Sequence, residues 1–364
     1  MKKILILANF DDFYNTRKEV VEELVKSYEV NICYPYGLNV EKFKEMGAKY
    51  TDITIDRRGK NPIQDIKLFI HYFNIIKKYK PDCVLSYSIK PNIYGGLACR
   101  IIKIPYLVNI TGLGSALENS GWLQKLTIAL HKIALKKAHT IFVQNKENKK
   151  FFQRHNINVD ALVLIPGSGV NTDDYVYLEY PKTKEKHFLY IARVMKEKGI
   201  DQYLEAAAII KRKYKDTYFH ILGFCEEDYK DILKQYQDKN YILYHGLVED
   251  VKKYHKMSCC LIHPSYYPEG MSNVLLEACA CGRPVITTNR SGCKEIVDDG
   301  KNGYIFQQCN TNDLVEKIEK FLRLSVEEQM QMGVKSRNKV KLEFNRSIII
   351  KQYKIKIKEV LNEE

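Results

Sequence analysis

The chain lacks the features by which several classes of protein are identified. No run of residues approaches the roughly 18–20 uninterrupted apolar side chains that a membrane-spanning helix requires. The apolar stretch that follows Met1 is short, meets Asp11 and Asp12, and has no small-residue cleavage site, so we interpret it as a first buried strand rather than a signal peptide. The ten cysteines form no C-x-x-C pair and no Cys/His cluster at zinc spacing. This pattern favours reduced core thiols in a cytoplasmic protein over disulfides or a metal site.

Negative charge is scarce in the first part of the chain. Residues 1–150 contain 25 Lys and Arg against 14 Asp and Glu, whereas the other 214 residues contain 33 against 30. An excess of positive charge in one half is typical of proteins that meet nucleic acid, an anionic membrane surface or a phosphorylated substrate. No recognition helix, zinc finger or aromatic RNA-binding strand occurs, so no nucleic acid is expected as a partner. A solvated, lysine-rich surface without a partner remains the alternative.

Short apolar runs alternate with amphipathic segments along all 364 residues. This alternation predicts an α/β fold with doubly wound parallel sheets, and the series runs twice. We predict a first domain over residues 1–172, a polar linker over 173–186 and a second domain over 187–345. An amphipathic helix over 346–364 could pack on either domain. Two such domains facing each other would form a ligand cleft at the carboxyl ends of their strands.

The most distinctive segment spans residues 262–286 and reads IHPSYYPEGMSNVLLEACACGRPVI. It predicts a strand, a loop that carries Glu269 and Gly270, and a helix that begins near Ser272. The amino end of a helix favours an anionic phosphate, and glycine lets the backbone approach a ligand closely. Glu277 lies about two helical turns further on, within reach of a ribose diol.

This segment resembles the signature of family 4 of the retaining glycosyltransferases, and the resemblance extends over essentially the whole chain. It implies the GT-B fold, with two Rossmann-like domains facing across a cleft. Glu269 would contact hydroxyls of the transferred sugar, and Glu277 would hold the ribose of the nucleotide. The resemblance also implies that four backbone amides contact the sugar and the distal phosphate, those of Gly270, Met271, Ser272 and Asn273.

Two further segments match the family in the expected order. Arg193 and Lys198 follow the first strand of the second domain, and two cations at a strand-to-helix turn suit a diphosphate. We predict that these two residues and Glu269 form the catalytic set. Loops around the nucleotide base would contribute three donor-binding positions, namely Gly223, His245 and Leu247. Because backbone groups would make the base contacts, His245 is equally well interpreted as a structural residue.

The first domain resembles the acceptor side of the capsule and lipid-linked oligosaccharide branch of the family. This branch includes enzymes that add N-acetylgalactosamine to undecaprenyl-diphosphate sugars. Five candidate acceptor-binding residues stand at the ends of predicted strands, and they are Lys90, Asn92, Thr111, Gly112 and Gly114. Arg17, which opens the first predicted helix, is a sixth candidate. Lys90 and the amides around Gly112 would hold the diphosphate of an acceptor.

No catalytic base can be assigned. Many family members have a histidine where this chain has residues 109–114, and no histidine occurs there. A retaining transferase can proceed without one if the leaving phosphate accepts the proton of the acceptor. The chain also has no D-x-D motif, the metal-binding signature of the other common glycosyltransferase fold. We therefore expect no metal and no cofactor, with Arg193 and Lys198 supplying the positive charge.

The basic, amphipathic segment over residues 122–137 either lies on an anionic membrane surface or covers the first sheet with its apolar side, and one helix can do both. The function that the sequence predicts is transfer of a hexose or N-acetylhexosamine, with retention, from a UDP-sugar to a polyprenyl-diphosphate-linked saccharide. The enzyme would be peripheral on the inner face of the cytoplasmic membrane. The alternatives are a nucleotide-sugar epimerase of the same double fold and a membrane-surface binding protein without activity.

Overall fold

A computed structural model describes residues 1–10, 13–56, 59, 61–114, 117 and 121–363. The chain divides into two compact units. The first contains Met1–Ser168, Pro268–Met271 and Ser347–Glu364, and the second contains Gly169–Tyr267 and Ser272–Arg346. The short segment that carries Glu269 and Gly270 therefore belongs to the first unit, although the residues on both sides of it belong to the second.

Each unit contains one fully parallel sheet. The seven strands of the first are β1 (Lys3–Leu7), β2 (Glu29–Tyr34), β3 (Lys49–Asp52), β4 (Cys83–Tyr87), β5 (Tyr106–Ile110), β6 (Thr140–Val143) and β7 (Leu162–Leu164), in the spatial order β3-β2-β1-β4-β5-β6-β7. The six strands of the second are β8 (Lys186–Ile191), β9 (Thr217–Leu222), β10 (Leu243–Tyr244), β11 (Cys260–His263), β12 (Val285–Thr288) and β13 (Gly303–Phe306), in the order β10-β9-β8-β11-β12-β13. The predicted pair of doubly wound α/β domains is confirmed.

Helices connect the strands. They are α1 (Phe13–Val25), α2 (Val40–Glu45), α3 (Pro62–Tyr79), α4 (Gly96–Ile102), α5 (Trp122–Leu135), α6 (Lys146–Arg154), α7 (Ile200–Lys213), α8 (Lys230–Asp238), α9 (Lys252–Met257), α10 (Asn273–Ala280), α11 (Thr311–Leu322), α12 (Val326–Glu343) and α13 (Arg346–Leu361). A π-helix over Pro91–Gly95 precedes α4, and single 3-10 turns occupy Val159–Ala161, Lys196–Lys198 and Lys294–Ile296.

Local sequence explains where several helices begin. Asn61 accepts a hydrogen bond from the amide of Ile63 and precedes Pro62, which suits the first position of a helix because proline has no amide to leave unpaired. Ser325 and Glu328 form a reciprocal capping box at the start of α12. These side chains replace the partners that the first amides of a helix lack.

The first sheet is buried on both faces. Helices α3, α4 and α5 supply Leu68, Ala98 and Ile128 to the core on one face. Helices α1 and α13 cover the other face, where Ile349 and Tyr353 of the terminal helix are completely buried beside strands β1 and β4. Burial on both faces is the reason why these strands have continuous apolar sequences.

In both sheets the strand order reverses beside the first strand. In sheets of this kind ligands bind at the carboxyl ends of the strands next to such a reversal, between β1 and β4 in the first unit and between β8 and β11 in the second. Three of these four strands are followed directly by predicted binding residues: Lys90 follows β4, Arg193 follows β8 and Glu269 follows β11. The topology therefore brings to one edge of each sheet residues that lie far apart in the sequence.

Some sequence interpretations differ from the structure. Strands β3 and β13 were not predicted: β3 is an edge strand with the partly exposed sequence KYTD, which lacks an apolar run. All ten cysteines are free thiols and eight are buried, but Cys225 is partly exposed and Cys309 is exposed, so these two are not core thiols. No helix in the described part of the chain is long and apolar enough to span a membrane.

Candidate functional site

The turn that follows β8 holds two cations in the second unit. Strand β8 ends at Ile191, and Arg193 and Lys198 lie in the turn that leads to α7. The buried hydroxyl of Tyr190 lies 3.2 Å from the carbonyl oxygen of Arg193 and 3.4 Å from that of Lys198. The hydroxyl of Tyr190 has one proton to donate, and the two carbonyl oxygens share it. This contact holds the backbone of the turn in place, so both cationic side chains extend from an ordered backbone.

Side chains that follow the two strands neighbouring β8 contact these cations. Arg193 forms an ion pair with Glu226, which follows β9. Tyr267 follows β11, and its ring centre lies 5.5 Å from the guanidinium carbon of Arg193 and 4.8 Å from Nζ of Lys198. Both distances are those of cation–π contacts. Two positive charges and one negative charge leave this cluster with a net positive charge, which suits a phosphate-bearing ligand.

The amine of Lys198 is unusually easy to deprotonate. Burial is the main cause that lowers its pKa to about 8, with Cys293 and Glu226 opposing the change and the nearby charge of Arg193 reinforcing it. Burial disfavours the charged form of an amine because the surrounding protein solvates it less well than water. An anion that binds beside Lys198 would stabilise the protonated form. Protonation of Lys198 and anion binding are therefore coupled.

The predicted anion-binding helix begins one residue after Ser272. The Ser272 side chain does not cap α10, because its Oγ lies 3.2 Å from Nε2 of His263, the last residue of β11. His263 is buried, and within the described ranges its Nδ1 has no hydrogen-bond partner. Burial, reinforced by the charge of Lys198, lowers the pKa of His263 to about 3. The imidazole is therefore neutral at physiological pH.

Glu277 has a partner that the sequence did not reveal. The hydroxyl of Tyr175, in the segment before β8, hydrogen-bonds to the Glu277 carboxylate. Burial and this carboxylate raise the pKa of Tyr175, so the phenol stays protonated and donates. Arg337 donates to the carbonyl oxygen of Tyr175 and holds its backbone. A carboxylate has two oxygens, so one can bind a ribose hydroxyl while Tyr175 orients the group.

The loops assigned to the nucleotide base lie next to each other. The amide of Gly223 donates to the carbonyl oxygen of Gly246 at 2.8 Å, between His245 and the exposed Leu247. Gly223 has φ +142°, and a Cβ there would lie 1.8 Å from the carbonyl oxygen of Ala192. Only glycine fits this position, because any side chain would collide with the backbone after β8.

His245 is the last member of a row of three histidines. Nδ1 of His187 lies 2.9 Å from Nε2 of His220, and Nδ1 of His220 lies 2.9 Å from Nε2 of His245. Burial, followed by the two neighbouring imidazoles, lowers the pKa of His220 to about 3. His245 thus has a structural contact, and a role in base binding stays a prediction.

Glu269 and Gly270 pack against the predicted acceptor loop within the first unit. The amide of Gly270 donates to the carbonyl oxygen of Thr111 at 3.0 Å, and Nδ2 of Asn145 donates to the carbonyl oxygen of Gly270 at 2.6 Å. A Cβ on Gly112 would lie 2.9 Å from the carbonyl oxygen of Pro268. This backbone crossing brings together Glu269, Gly270, Thr111 and Gly112, which the sequence separates by more than a hundred positions.

The other predicted acceptor residues are engaged inside the first unit. Lys90 donates to Asp65 at 2.8 Å and to the carbonyl oxygen of Gly59 at 3.0 Å. Asn92 is buried, accepts from Ser86 at 2.8 Å and donates to the carbonyl oxygen of Asn109 at 2.8 Å. Their roles toward an acceptor stay predictions.

Arg17 is also buried rather than presented at a surface. Its guanidinium carbon lies 5.2 Å from the ring centre of Tyr87, and its Nη1 donates to the carbonyl oxygen of Thr16 at 2.8 Å. The hydroxyl of Tyr353, on the terminal helix, donates to Oδ1 of Asn109 in the same region. An acceptor role for Arg17 is likewise still a prediction.

The sequence singled out the segments of the candidate site but not several residues that the structure places against them. Glu226 lies three positions after Gly223, and Tyr267 lies inside the 262–286 segment itself, so closeness to a predicted site residue was the signal that could have found each of them. Tyr175 lies in a polar stretch without a recognisable pattern, and nothing in the sequence connects it with Glu277.

Comparison with known proteins agrees with this arrangement. Residues 3–145 match the family described as "Glycosyl transferase 4-like", and residues 179–339 match "Glycosyl transferases group 1". A relative from Campylobacter jejuni, an N,N'-diacetylbacillosaminyl-diphospho-undecaprenol alpha-1,3-N-acetylgalactosaminyltransferase, is 25% identical over 93% of this chain and 94% of its own length. A UDP-Gal:alpha-D-GlcNAc-diphosphoundecaprenol alpha-1,3-galactosyltransferase from Escherichia coli is 27% identical over 78% of this chain and 76% of its own.

Solved structures show the same fold. A glycosyltransferase from Rickettsia africae superimposes with a TM-score of 0.82 at 20% identity, over 100% of this chain and 99% of its own. The two matched families follow each other along the chain in the order of the two observed units. The chain therefore belongs to the glycosyltransferases of the GT-B fold, with a glycosyl transferase 4-like first domain and a group 1 second domain.

Proposed function

We propose that this glycosyltransferase moves a hexose or N-acetylhexosamine from a UDP-sugar to a saccharide on a polyprenyl diphosphate, with retention at the anomeric carbon. The observation that carries the donor half is the cluster of Arg193, Lys198, Tyr267 and Glu226 at the carboxyl ends of three strands in the second unit. The relatives that act on undecaprenyl-diphosphate sugars support the acceptor half, and one of them uses UDP-galactose.

The nucleotide part of the donor has counterparts in the second unit. Arg193 and Lys198 bind the diphosphate, one as a planar fork and the other as a point charge. Glu277, oriented by Tyr175, binds the ribose diol, and the loops at Gly223 and Leu247 border the base. The cations also stabilise the negative charge that develops on the departing UDP, so the reaction proceeds without a metal.

The reaction breaks the bond between the anomeric carbon and the distal phosphate oxygen and forms a bond to a hydroxyl oxygen of the acceptor. For retention, the acceptor attacks from the side on which UDP leaves. The departing phosphate then accepts the hydroxyl proton, so no protein base is needed. Glu269 accepts hydrogen bonds from hydroxyls of the transferred sugar and holds its ring in place.

The acceptor is bound by the first unit, in the loop of Thr111 and Gly112 beside Glu269. Because a polyprenyl chain resides in a bilayer, the enzyme works peripherally on the inner face of the cytoplasmic membrane. The excess of lysine over acidic residues in the first half of the chain supports this location.

The test is a donor screen. The purified protein is incubated with a panel of UDP-sugars and a detergent-dissolved polyprenyl-diphosphate saccharide, and UDP release and product mass are measured. Transfer from at least one donor is expected, with the anomeric configuration retained in the NMR spectrum of the product. Epimerised sugar without transfer would instead indicate the epimerase, and an inverted product would refute retention.

Two substitutions test the site. Glu269→Ala and Lys198→Ala should each lower kcat/KM by about 100-fold or more, the usual cost of a group that stabilises developing charge. Exposed residues of the same types, Glu45→Ala and Lys215→Ala, serve as matched controls and should leave the rate unchanged. If folded Glu269→Ala and Lys198→Ala variants transferred sugar at the parent rate, the assignment would be wrong.

A further inference from the structure

Helix α5 has two apolar stripes on opposite sides. One stripe, which includes Ile128, His131 and Leu135, is buried against the first sheet. The second consists of Trp122, Leu126 and Ile133, which are 74%, 47% and 52% exposed. At 100° per residue, the second stripe points about 180° away from the first. Packing in the fold therefore accounts for only one of the two stripes.

The neighbouring helices repeat this arrangement. Helix α3 buries Leu68, Tyr72 and Ile76 on one side and leaves an isoleucine stripe exposed on the other. Helix α4 packs between α3 and α5, and Arg100 ties it to α5 by donating to the carbonyl oxygen of Ile133. The exposed apolar residues of the three helices are Ile63, Ile66, Ile70, Ile101, Trp122, Leu126 and Ile133, hereafter the outer apolar face.

Positive charge surrounds the outer apolar face. Residues 83–145 contain seven Lys and Arg and a single acidic residue, Glu118. The only acidic residue of α3, Asp65, is already paired with Lys90 at 2.8 Å. The exposed lysines on or next to the three helices are Lys67, Lys77, Lys78, Lys80, Lys103, Lys125, Lys132, Lys136 and Lys137.

We propose that the outer apolar face of α3, α4 and α5 docks the enzyme on an anionic lipid bilayer, with its isoleucine, leucine and tryptophan side chains inserted at the headgroup boundary. Lysines flanking such residues place their alkyl chains along the apolar layer and their ammonium groups at lipid phosphates. Tryptophan is favoured at this depth because it has an apolar ring and one hydrogen-bond donor.

The composition favours a bilayer over the other occupants of an exposed apolar surface. Protein interfaces are depleted in lysine, and this surface is rich in it. Nucleic acid would require cations without a continuous apolar component, because its backbone is charged and its bases are polar at their edges. A bilayer with anionic headgroups needs both components together, an apolar stripe and surrounding cations.

The inference rests on the proposed function in one respect: a membrane-bound acceptor gives the docking its purpose. The surface is part of the first unit, which also contains the predicted acceptor residues. Docking through α3, α4 and α5 would bring that unit to the membrane from which a polyprenyl-linked substrate must be taken.

Two variants separate the apolar and the electrostatic contributions. The first combines Trp122→Ser, Leu126→Ser and Ile133→Ser, and the second combines Lys132→Gln and Lys136→Gln. Binding of the full chain to phosphatidylglycerol and phosphatidylcholine vesicles is measured by co-sedimentation. The serine variant should bind both lipids about tenfold more weakly or worse. The glutamine variant should lose about fivefold for each lysine on phosphatidylglycerol, and little on phosphatidylcholine.

Matched controls come from the second unit. Leu342→Ser removes a leucine that is 78% exposed, and Lys230→Gln with Lys234→Gln removes two exposed lysines one helical turn apart. Neither control should change vesicle binding. Thermal unfolding checks that each variant is folded. If the serine variant is not folded, the glutamine variant still decides, because its substitutions lie outside the core.

The outcomes distinguish this inference from the proposed function. Parent protein that transfers sugar in detergent but does not bind phosphatidylglycerol vesicles overturns the docking surface and leaves the function intact. Parent protein that binds vesicles through this face but transfers no sugar supports the surface and overturns the function. Serine and glutamine variants that bind both kinds of vesicle like the parent overturn the surface.

Discussion

The affinity of the enzyme for UDP should fall as the pH rises above 8, because Lys198 loses its proton. The pKa of this amine is lowered to about 8 by burial in the unliganded protein. A bound diphosphate stabilises the ammonium form and raises the pKa, so binding near this pH takes up a proton. Only the protonated fraction of the free protein binds with full strength, and this fraction decreases with pH.

The size of the effect follows from the pKa. For a group with a pKa of about 8, the protonated fraction falls from about 0.9 at about pH 7 to about 0.15 at about pH 8.75. The dissociation constant for UDP should therefore rise about sixfold over this interval, which corresponds to about 1 kcal/mol. Titration calorimetry in buffers of different ionisation enthalpy should show about 0.1 proton taken up at the lower pH and about 0.8 at the higher pH.

Lys198→Arg provides the control. Arginine stays charged throughout this range, whereas every other group, including the uracil base, titrates as it does in the parent. The variant is expected to bind UDP with a different absolute affinity, since the two cations are not interchangeable, but without the sixfold decrease. If the variant shows the same decrease and the same proton uptake as the parent, Lys198 is not the group that titrates, and the reasoning is refuted.

Three further predictions concern other parts of the structure. Tyr175→Phe should weaken UDP binding by about tenfold, measured by calorimetry, because a hydrogen bond to a charged group is worth about 1.5–3 kcal/mol and orients Glu277. The free energy of unfolding should decrease between about pH 6.5 and about pH 5, and in His255→Leu this decrease should be smaller by about 2 kcal/mol, measured by urea denaturation. Gly270→Ala should destabilise the protein by about 1–3 kcal/mol, because its Cβ would lie 2.5 Å from the backbone carbonyl oxygen of Thr111.

Each of these predictions has an outcome that contradicts it. The Tyr175→Phe effect should vanish with 2'-deoxy-UDP, and an undiminished effect would mean that the tyrosine does not act through the ribose. The Gly270→Ala prediction fails if the variant unfolds at the denaturant midpoint of the parent.

The sign of the His255 effect follows from its burial. Both ring nitrogens lack partners in the described structure, and burial lowers the pKa to about 3. The unfolded chain therefore binds a proton below about pH 6.5 that the folded protein does not, and stability falls as the pH falls toward 3. Acid sensitivity equal to that of the parent would contradict this account.

The sequence by itself determined the fold class and singled out the segments predicted to bind the donor. Apolar runs alternating with amphipathic helices specify parallel sheets, and residues after parallel strands meet at one edge. The resemblance to the glycosyltransferase family then singled out Arg193, Lys198 and Ser272 among those residues. The short strand Lys49–Asp52 was not predicted, because an edge strand need not have an apolar sequence. The periodicity of apolar residues indicates which side of a helix or strand is buried, and it is weak where the element is half exposed.

Only the tertiary structure decided which residues are partners and which surfaces remain exposed. Tyr175 meets Glu277, and Gly270 meets Thr111, because the folding of the chain brings distant segments into contact, and no local pattern encodes that contact. The 122–137 segment shows the same limit. Its sequence indicates an amphipathic helix, but a periodic pattern cannot say which of two apolar stripes the core will cover. The packing of α5 buries Ile128 and Leu135 and leaves Trp122 at the surface, because a helix on a sheet can present only one side to it.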